Sequence, residues 1–382
     1  MRICLVYDCI YPHTIGGAER WYRNLGERLA VAGHDVTYLT RRQWPDGTDA
    51  GVPGVRVVAV TGEMSLYSPG GRRKISPPII FGLGVLWHLL RRGRDYDIVH
   101  TAAFPYFSVI AAAFGRRMHG FSLFVDWHEV WTRSYWKEYL GATRGWVGWL
   151  VQRLCLKIRQ RAFCFARMTA ERCREEGMRD PVTVLSGLYT GAHERSEVTD
   201  SVPLVMFAGR HIPEKRVPDL VPAIERARES LPELRCVIFG DGPERAKVAE
   251  MVEDRGMEAV IELPGFVDGE RIDDTMAHAL CMVLPSRREG YGMVVVEAAS
   301  WGTPSVVVAD PDNAATELVD DGENGIVAAS TSAADLSAAI LEIHRQGRSL
   351  RESTAAWFQR NAPRVALSRS VEQVAEIYAR RP

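Results

Sequence analysis

Short β-branched and apolar runs recur along the chain, separated by longer stretches in which apolar residues return every three or four positions. In the first half, Ile3–Tyr7, Val36–Thr40, Val55–Val60, Ile98–Thr101, Leu123–Val125 and Val182–Leu185 read as strands. Between the first two, Ala18–Ala32 places Trp21, Leu25, Leu29 and Ala32 on one stripe and stops at Gly33, which predicts an amphipathic helix. Strands joined by helices of this length imply right-handed crossovers and a parallel sheet.

The alternation lapses over Gly191–Ser201, which carries almost no apolar residue, and then restarts. Leu204–Ala208, Leu234–Phe239, Val260–Leu263, Cys281–Leu284, Ser305–Val308 and Gly325–Val327 predict a second strand series with helices between. The last stretch, Arg364–Arg380, sets Val365, Leu367, Val371, Val374, Ile377 and Tyr378 on one helical stripe that must pack on something. The expected organisation is therefore an α/β chain of two Rossmann-like domains. Residues 1–190 form the first, 191–201 a linker, 202–363 the second, and 364–382 a terminal helix returning to the first domain.

Composition agrees: 382 residues, 46% of them hydrophobic, exceed what one core usually holds, about 250 residues. Seven cysteines lie scattered without a C-x-x-C pair, most within apolar runs, and the N-terminus lacks the pattern of a signal peptide. No apolar span reaches the roughly 18 residues a membrane-crossing helix needs. These features lead to the expectation of a cytoplasmic protein. The net charge of −1 argues against nucleic-acid binding, but it hides an asymmetry. Residues 1–190 carry 26 Lys and Arg against 16 Asp and Glu, and the remainder 21 against 32. A basic first half would draw an anionic acceptor or an anionic membrane surface, or it is simply a solvated arginine face.

In open parallel sheets, ligands bind beyond the carboxyl ends of strands, where loops enter helices. The most informative such loop is Pro285-Ser286-Arg287-Arg288-Glu289-Gly290-Tyr291-Gly292-Met293, running into Val294-Val295-Val296-Glu297-Ala298. Gly290 and Gly292 allow close backbone approach, and a helix opening near Met293 would aim free N–H groups at an anion. Glu289 and Glu297 would flank that anion and accept hydrogen bonds from hydroxyls. Gly209-Arg210-His211-Ile212-Pro213-Glu214-Lys215 follows the first strand of the second domain, so Arg210 and Lys215 could neutralise a diphosphate without a metal. Gly240-Asp241-Gly242 and Gly265-Phe266-Val267 end two further strands.

This series resembles the retaining family-four glycosyltransferases of the GT-B fold, over essentially the whole chain from Gly16-Gly17-Ala18-Glu19 to the final helix. The resemblance implies that Glu289 contacts donor-sugar hydroxyls, Glu297 the ribose, Arg210 and Lys215 the diphosphate, and Gly265-Phe266-Val267 the base. Gly290, Tyr291, Gly292 and Met293 belong to the same donor loop. In the first domain, Gly16 and Gly17 open a helix whose N–H groups could reach the diphosphate or the acceptor, and His128, in Val125-Asp126-Trp127-His128-Glu129, matches a family histidine near the reacting centre. His100 also follows a strand and is read as structural or acceptor-lining.

One stretch departs from the family pattern: Asp310-Pro311-Asp312-Asn313-Ala314-Ala315-Thr316-Glu317 stands where many relatives carry Gly-Gly-x-x-Glu. Asp310-x-Asp312 is read as a helix N-cap rather than a metal motif, and no metal or other cofactor is expected. The donor implied is a UDP- or GDP-sugar, held in a cleft between facing domains, and the acceptor a hydroxyl of a glycan, lipid-linked or small molecule. Front-face attack, with the departing phosphate taking the acceptor's proton, would keep the anomeric configuration.

Two rivals keep the same architecture: a nucleotide-sugar 2-epimerase and a non-catalytic nucleotide-sugar-binding protein. A nicotinamide oxidoreductase is excluded because the loop after the first strand, Asp8-Cys9-Ile10-Tyr11-Pro12, lacks G-x-G-x-x-G. For a membrane contact, the candidates are the Trp- and Arg-rich stretch from Trp136-Lys137 through Trp146, Trp149 and Arg153 to Arg161, and Arg72-Arg73-Lys74 ahead of Ile79–Leu90.

Overall fold

The fold is described from a computed structural model of the full chain, in which residues 1–45, 47–65, 74–191 and 198–380 are described. Arg72, Arg73 and residues 192–197 of the expected linker lie outside them. The chain divides into two compact units, Met1–Gly187 with Ser368–Pro382, and Leu188–Leu367.

The first unit is built on seven strands: β1 (Arg2–Val6), β2 (Asp35–Arg41), β3 (Arg56–Thr61), β4 (Ile98–Ala102), β5 (Ser122–Trp127), β6 (Arg161–Cys164) and β7 (Val182–Val184). They lie in the order β3-β2-β1-β4-β5-β6-β7 with every neighbouring pair parallel. Helices cover the sheet, so central strands such as β4 are buried along their whole length, its polar His100 and Thr101 included. Helix Gly17–Val31 buries Trp21, Tyr22, Leu25 and Leu29, and approaches closely because Gly26 has only hydrogen where a methyl would come within 3.3 Å of Leu5.

The second unit repeats the plan. Strands β8 (Val202–Ala208), β9 (Arg235–Phe239), β10 (Ile261–Gly265), β11 (Ala279–Leu284), β13 (Ser305–Val308) and β15 (Gly325–Ala328) form a sheet in the order β10-β9-β8-β11-β13-β15. A separate two-residue ladder pairs β12 (Arg288–Glu289) with β14 (Asp312–Asn313).

The terminal helix spans Leu367–Ala379, three residues later than the pattern predicted. Val365 belongs instead to the preceding helix Arg348–Val365, and Ala366 is extended, bridging Tyr189. Tyr189 donates its N–H to Val365 O at 3.0 Å and accepts from Leu367 N at 2.8 Å, which ties the start of the second unit to its end. The terminal helix then packs on the first unit through Val371, Val374 and Tyr378, all buried. Arg161 caps it by donating to Ile377 O at 3.0 Å.

All seven cysteines are buried and free, and burial raises the thiols of Cys4, Cys9 and Cys281 far above the range in which a thiolate would form. Among the described residues no helix is long and apolar enough to cross a membrane.

Candidate active site

Strand order decides which loops meet. In the second sheet the chain reverses its direction of travel between the neighbours β8 and β11, and a crevice opens at the carboxyl ends of such a pair. The loop after β8 carries Arg210 and Lys215; the loop after β11 carries Ser286 to Gly292. They are joined by Arg287 N–H donating to Glu214 O at 2.9 Å. The Lys215 ammonium is ion-paired with Glu289 Oε1, and the Ser286 hydroxyl donates to the same oxygen at 2.7 Å. Both charged side chains are largely buried, 18% and 9% exposed, so each depends on the other to offset its lost hydration.

Glu289 Oε2 has no hydrogen bond among the described residues and can accept one from an incoming hydroxyl. Arg210 is exposed and makes no hydrogen bond or ion pair among the described residues. A fixed cation and an unengaged one therefore border the same crevice.

Helix Met293–Ser300 opens at this point. Its N-cap, Gly292, supplies no side chain, and its first turn holds no acidic residue, so the N–H groups and positive dipole end carry no anion of their own. Gly292 stands at φ 94°, in the left-handed region, and a methyl there would lie 2.6 Å from the Ala315 side chain. Gly292→Ala is expected to cost roughly 1–3 kcal/mol through backbone strain and to weaken anion binding. Thermal unfolding with and without a nucleoside diphosphate checks both effects. Tyr291 is buried, and Glu297 lies partly buried in the second turn of the helix.

The Asp310–Leu318 segment braces this loop from behind. Asn313 donates through Nδ2 to Ser286 O at 3.1 Å and Val308 O at 2.9 Å, and its Oδ1 accepts from Ala315 N at 3.1 Å. Asn313 is thus the N-cap of the short helix Ala314–Leu318; the expectation that Asp310-x-Asp312 supplies that cap is corrected. Asp310 instead accepts from Asp312 N at 2.9 Å, and Asp312 pairs with Arg288 at 3.4 Å. Among the described residues no cluster of His, Cys, Asp and Glu could hold a metal ion.

Gly265 ends β10 at φ 78°, with Gly240 N–H donating to its carbonyl at 2.8 Å and Arg245 Nη2 donating to Leu263 O at 2.8 Å. β10 lies two strands from β8, roughly 10 Å at ordinary spacing. Phe266, next in the chain, is 68% exposed and offers a face on which a planar ring can stack. Val267 is partly buried.

In the first unit, Gly16 is the N-cap of helix Gly17–Val31, but Glu19 folds back until its Oε2 lies 2.3 Å from where a Gly16 methyl would stand. This helix tip already holds a carboxylate, which would repel a second anion. Of the two glycine tips that the sequence assigned to the diphosphate, the one at Met293 is free of such a group.

His128 follows β5, stacked on Phe165 at 4.8 Å with the rings 5° from parallel. Burial holds it below the ordinary imidazole value, outweighing the pull of Asp126, so the ring is neutral at pH 7. Its Nε2 is buried and has no hydrogen-bond partner among the described residues. His100, expected as structural or acceptor-lining, is wholly structural: it lies within β4, fully buried, bonded through Nδ1 to Tyr378 Oη at 2.5 Å and through Nε2 to Asp126 Oδ1 at 2.7 Å. Asp126 Oδ2 accepts from Trp21 Nε1 at 2.7 Å.

Ser286, Asn313, Glu19 and Asp126 are site-building residues that sequence reasoning missed. Only Asn313 had a signal, an N-cap residue before Ala314-Ala315-Thr316.

Comparison with known proteins gives the family and the fold. Residues 16–187 match the glycosyl transferase 4-like domain, and residues 192–361 match the glycosyl transferases group 1 family. Over 381 residues the chain is 25% identical to the glycogen synthase of Mycobacterium tuberculosis, spanning 90% of this chain and 86% of that protein. It is 32% identical over 128 residues to the alpha-D-kanosaminyltransferase of Streptomyces kanamyceticus, 34% of this chain and 33% of that enzyme.

Among solved structures, the sucrose-phosphate synthase of Thermosynechococcus elongatus superposes with a TM-score of 0.80 at 20% identity, covering 99% of this chain and 98% of that one. Anabaena HepE in complex with UDP gives 0.76 at 17% identity, covering 99% and 100%. The chain belongs to the group 1 glycosyltransferases, and its two parallel-sheet units are those of the GT-B fold.

Proposed function

We propose that this chain is a retaining hexosyltransferase that takes its sugar from a UDP-sugar and passes it to a hydroxyl acceptor. The observation that carries the reading is the Lys215–Glu289–Ser286 cluster, set at the switch point of the second sheet beside an uncapped helix tip and the unpaired Arg210. Arg210, Lys215 and the Met293 helix tip receive the diphosphate; their three positive fields stabilise the charge that grows as the sugar leaves. Glu289 accepts a hydrogen bond from a sugar hydroxyl through its open oxygen. Glu297 is assigned to the ribose, and the Gly265-Phe266-Val267 turn to the base.

Both glutamates lie on one unit and one loop–helix segment, not across a scissile bond, which supports binding roles over a nucleophilic one. The departing phosphate oxygen then takes the acceptor's proton as the new bond forms on the same face. His128, kept neutral, is assigned a hydrogen bond to a substrate hydroxyl. UDP is favoured over GDP because a fold relative, Anabaena HepE, has been solved with UDP and with UDP-glucose.

A thermal-shift panel of UDP-, GDP-, ADP- and dTDP-sugars tests the donor. At a concentration of about 100 Kd the matching donor should stabilise the fold by about 2.7 kcal/mol. Absence of any shift across the panel contradicts the reading, and donor consumed without an acceptor assigns the chain to epimerase chemistry instead. An NMR spectrum of the product tests retention through its anomeric coupling.

A further inference from the structure

Three helices, Ser76–Arg92, Tyr106–His119 and Ala142–Lys157, lie on one side of the first sheet, because their inward residues Phe81, Val85, Val109, Cys155 and Leu156 share a single buried cluster. An ordinary surface helix turns a polar face outward. These do not. Leu83 and Trp87, Phe114 and Met118, and Trp146 and Leu154 are each between 47% and 60% exposed. Each pair stands four or eight residues apart, so the apolar positions form stripes along the helices instead of isolated points.

The charges around these stripes are almost all of one sign. Residues 74–95, 106–119 and 133–159, which include the short helix Arg133–Leu140, carry 12 Lys and Arg against Asp95 and Glu138 alone. Arg91 lies over the exposed face of Trp87 at 3.6 Å, and Arg133, Lys137 and Trp146 border a hollow of about 720 Å³. Such large exposed apolar stripes mark an interaction surface, and apolar side chains rimmed by cations match a surface with negative headgroups above hydrocarbon. Since no described helix is long and apolar enough to cross a bilayer, the contact is one of lying on it.

We propose that this outer helical layer docks the protein on an anionic lipid bilayer, with Leu83, Trp87 and Trp146 entering the interface and Arg91, Arg92, Arg117 and Arg144 meeting the headgroups. The inference does not depend on the donor reading, and its test uses no nucleotide sugar.

The full chain is sedimented with phosphatidylcholine vesicles, with and without roughly one-third phosphatidylglycerol, at low and high salt. Binding is expected only to the anionic vesicles and should weaken with salt. Each headgroup-facing charge contributes about fivefold to the partition coefficient, so the double change Arg91→Glu/Arg92→Glu should lower it by well over tenfold. Leu83→Ser/Trp87→Ser should also reduce binding while leaving the circular dichroism and unfolding midpoint of the free protein unchanged, because both side chains are already exposed.

No sedimentation with anionic vesicles at low salt would overturn the proposal, as would wild-type partition by both double variants. A dimer in sedimentation velocity without lipid, dissolved by Leu83→Ser/Trp87→Ser, would assign the face to a second copy of the chain and overturn it equally.

Discussion

Glu289→Gln is expected to lower turnover by roughly 10²–10³-fold, about 3–4 kcal/mol of transition-state stabilisation, while the dissociation constant for UDP changes by no more than a few-fold. Glutamine keeps the shape of the side chain and can still accept from Ser286, but it loses the charge that holds the Lys215 ammonium. Lys215 is then free to turn wholly toward the diphosphate, so nucleotide binding holds or tightens. The sugar loses a charged acceptor for its hydroxyl, and the cation that should strengthen its grip only as the bond breaks is no longer oriented. Lys215→Ala should behave in the opposite sense, weakening UDP binding and raising KM. Steady-state kinetics and calorimetry on the two variants separate these effects; equal turnover in wild type and Glu289→Gln would remove Glu289 from the site.

The second large effect is on stability. Asp126→Ala should destabilise the first unit by about 3–5 kcal/mol, since it strips a buried partner from both His100 and Trp21. For a unit of this size the unfolding midpoint should fall by roughly 6–20 °C. Tyr378→Phe, which removes one hydrogen bond to His100, should cost only about 1 kcal/mol.

The pH dependence has a definite sign. Burial alone would raise the Asp126 carboxyl, but His100, His128 and the Trp21 indole together hold it below its usual value. Its contribution is therefore present above about pH 4 and is lost as pH falls through the lower folded value. His128 is also depressed, by burial, so protonation favours the unfolded chain as pH drops below roughly 6.5. Both groups make acid destabilising. Calorimetric scans between neutral and mildly acid pH should show a falling midpoint, and Asp126→Ala should lose the part of that slope nearest pH 4.

The strands were legible because a parallel sheet covered on both faces leaves apolar runs with no alternation to confuse them. Ser305–Val308 matches to the residue, while β11 starts two residues early at Ala279 and Leu280. β6 escaped notice: Arg161–Cys164 is four residues long, and Arg161 reads as the end of the basic run from Arg153. The terminal helix was visible as a stripe, but its start depends on the Tyr189–Ala366 bridge, a contact between residues far apart in sequence.

The candidate site was half visible. Arg210, Lys215, Glu289 and Gly292 could each be placed at a strand end, yet only the adjacency of β8 and β11 brings Lys215 onto Glu289. Nothing local reveals that Glu19 already occupies the Gly16 helix tip. For the same reason His100, a plausible ligand by position, proved to be the buried link to Tyr378.

A crystal structure with the UDP-sugar that gives the largest thermal shift tests the central claim most directly. The two phosphates should lie within hydrogen-bond reach of Arg210, Lys215 and the N–H groups at Met293, with a sugar hydroxyl on Glu289 Oε2. A diphosphate bound away from Arg210 and Lys215, with the Lys215–Glu289 pair undisturbed and no sugar beside it, would contradict the claim.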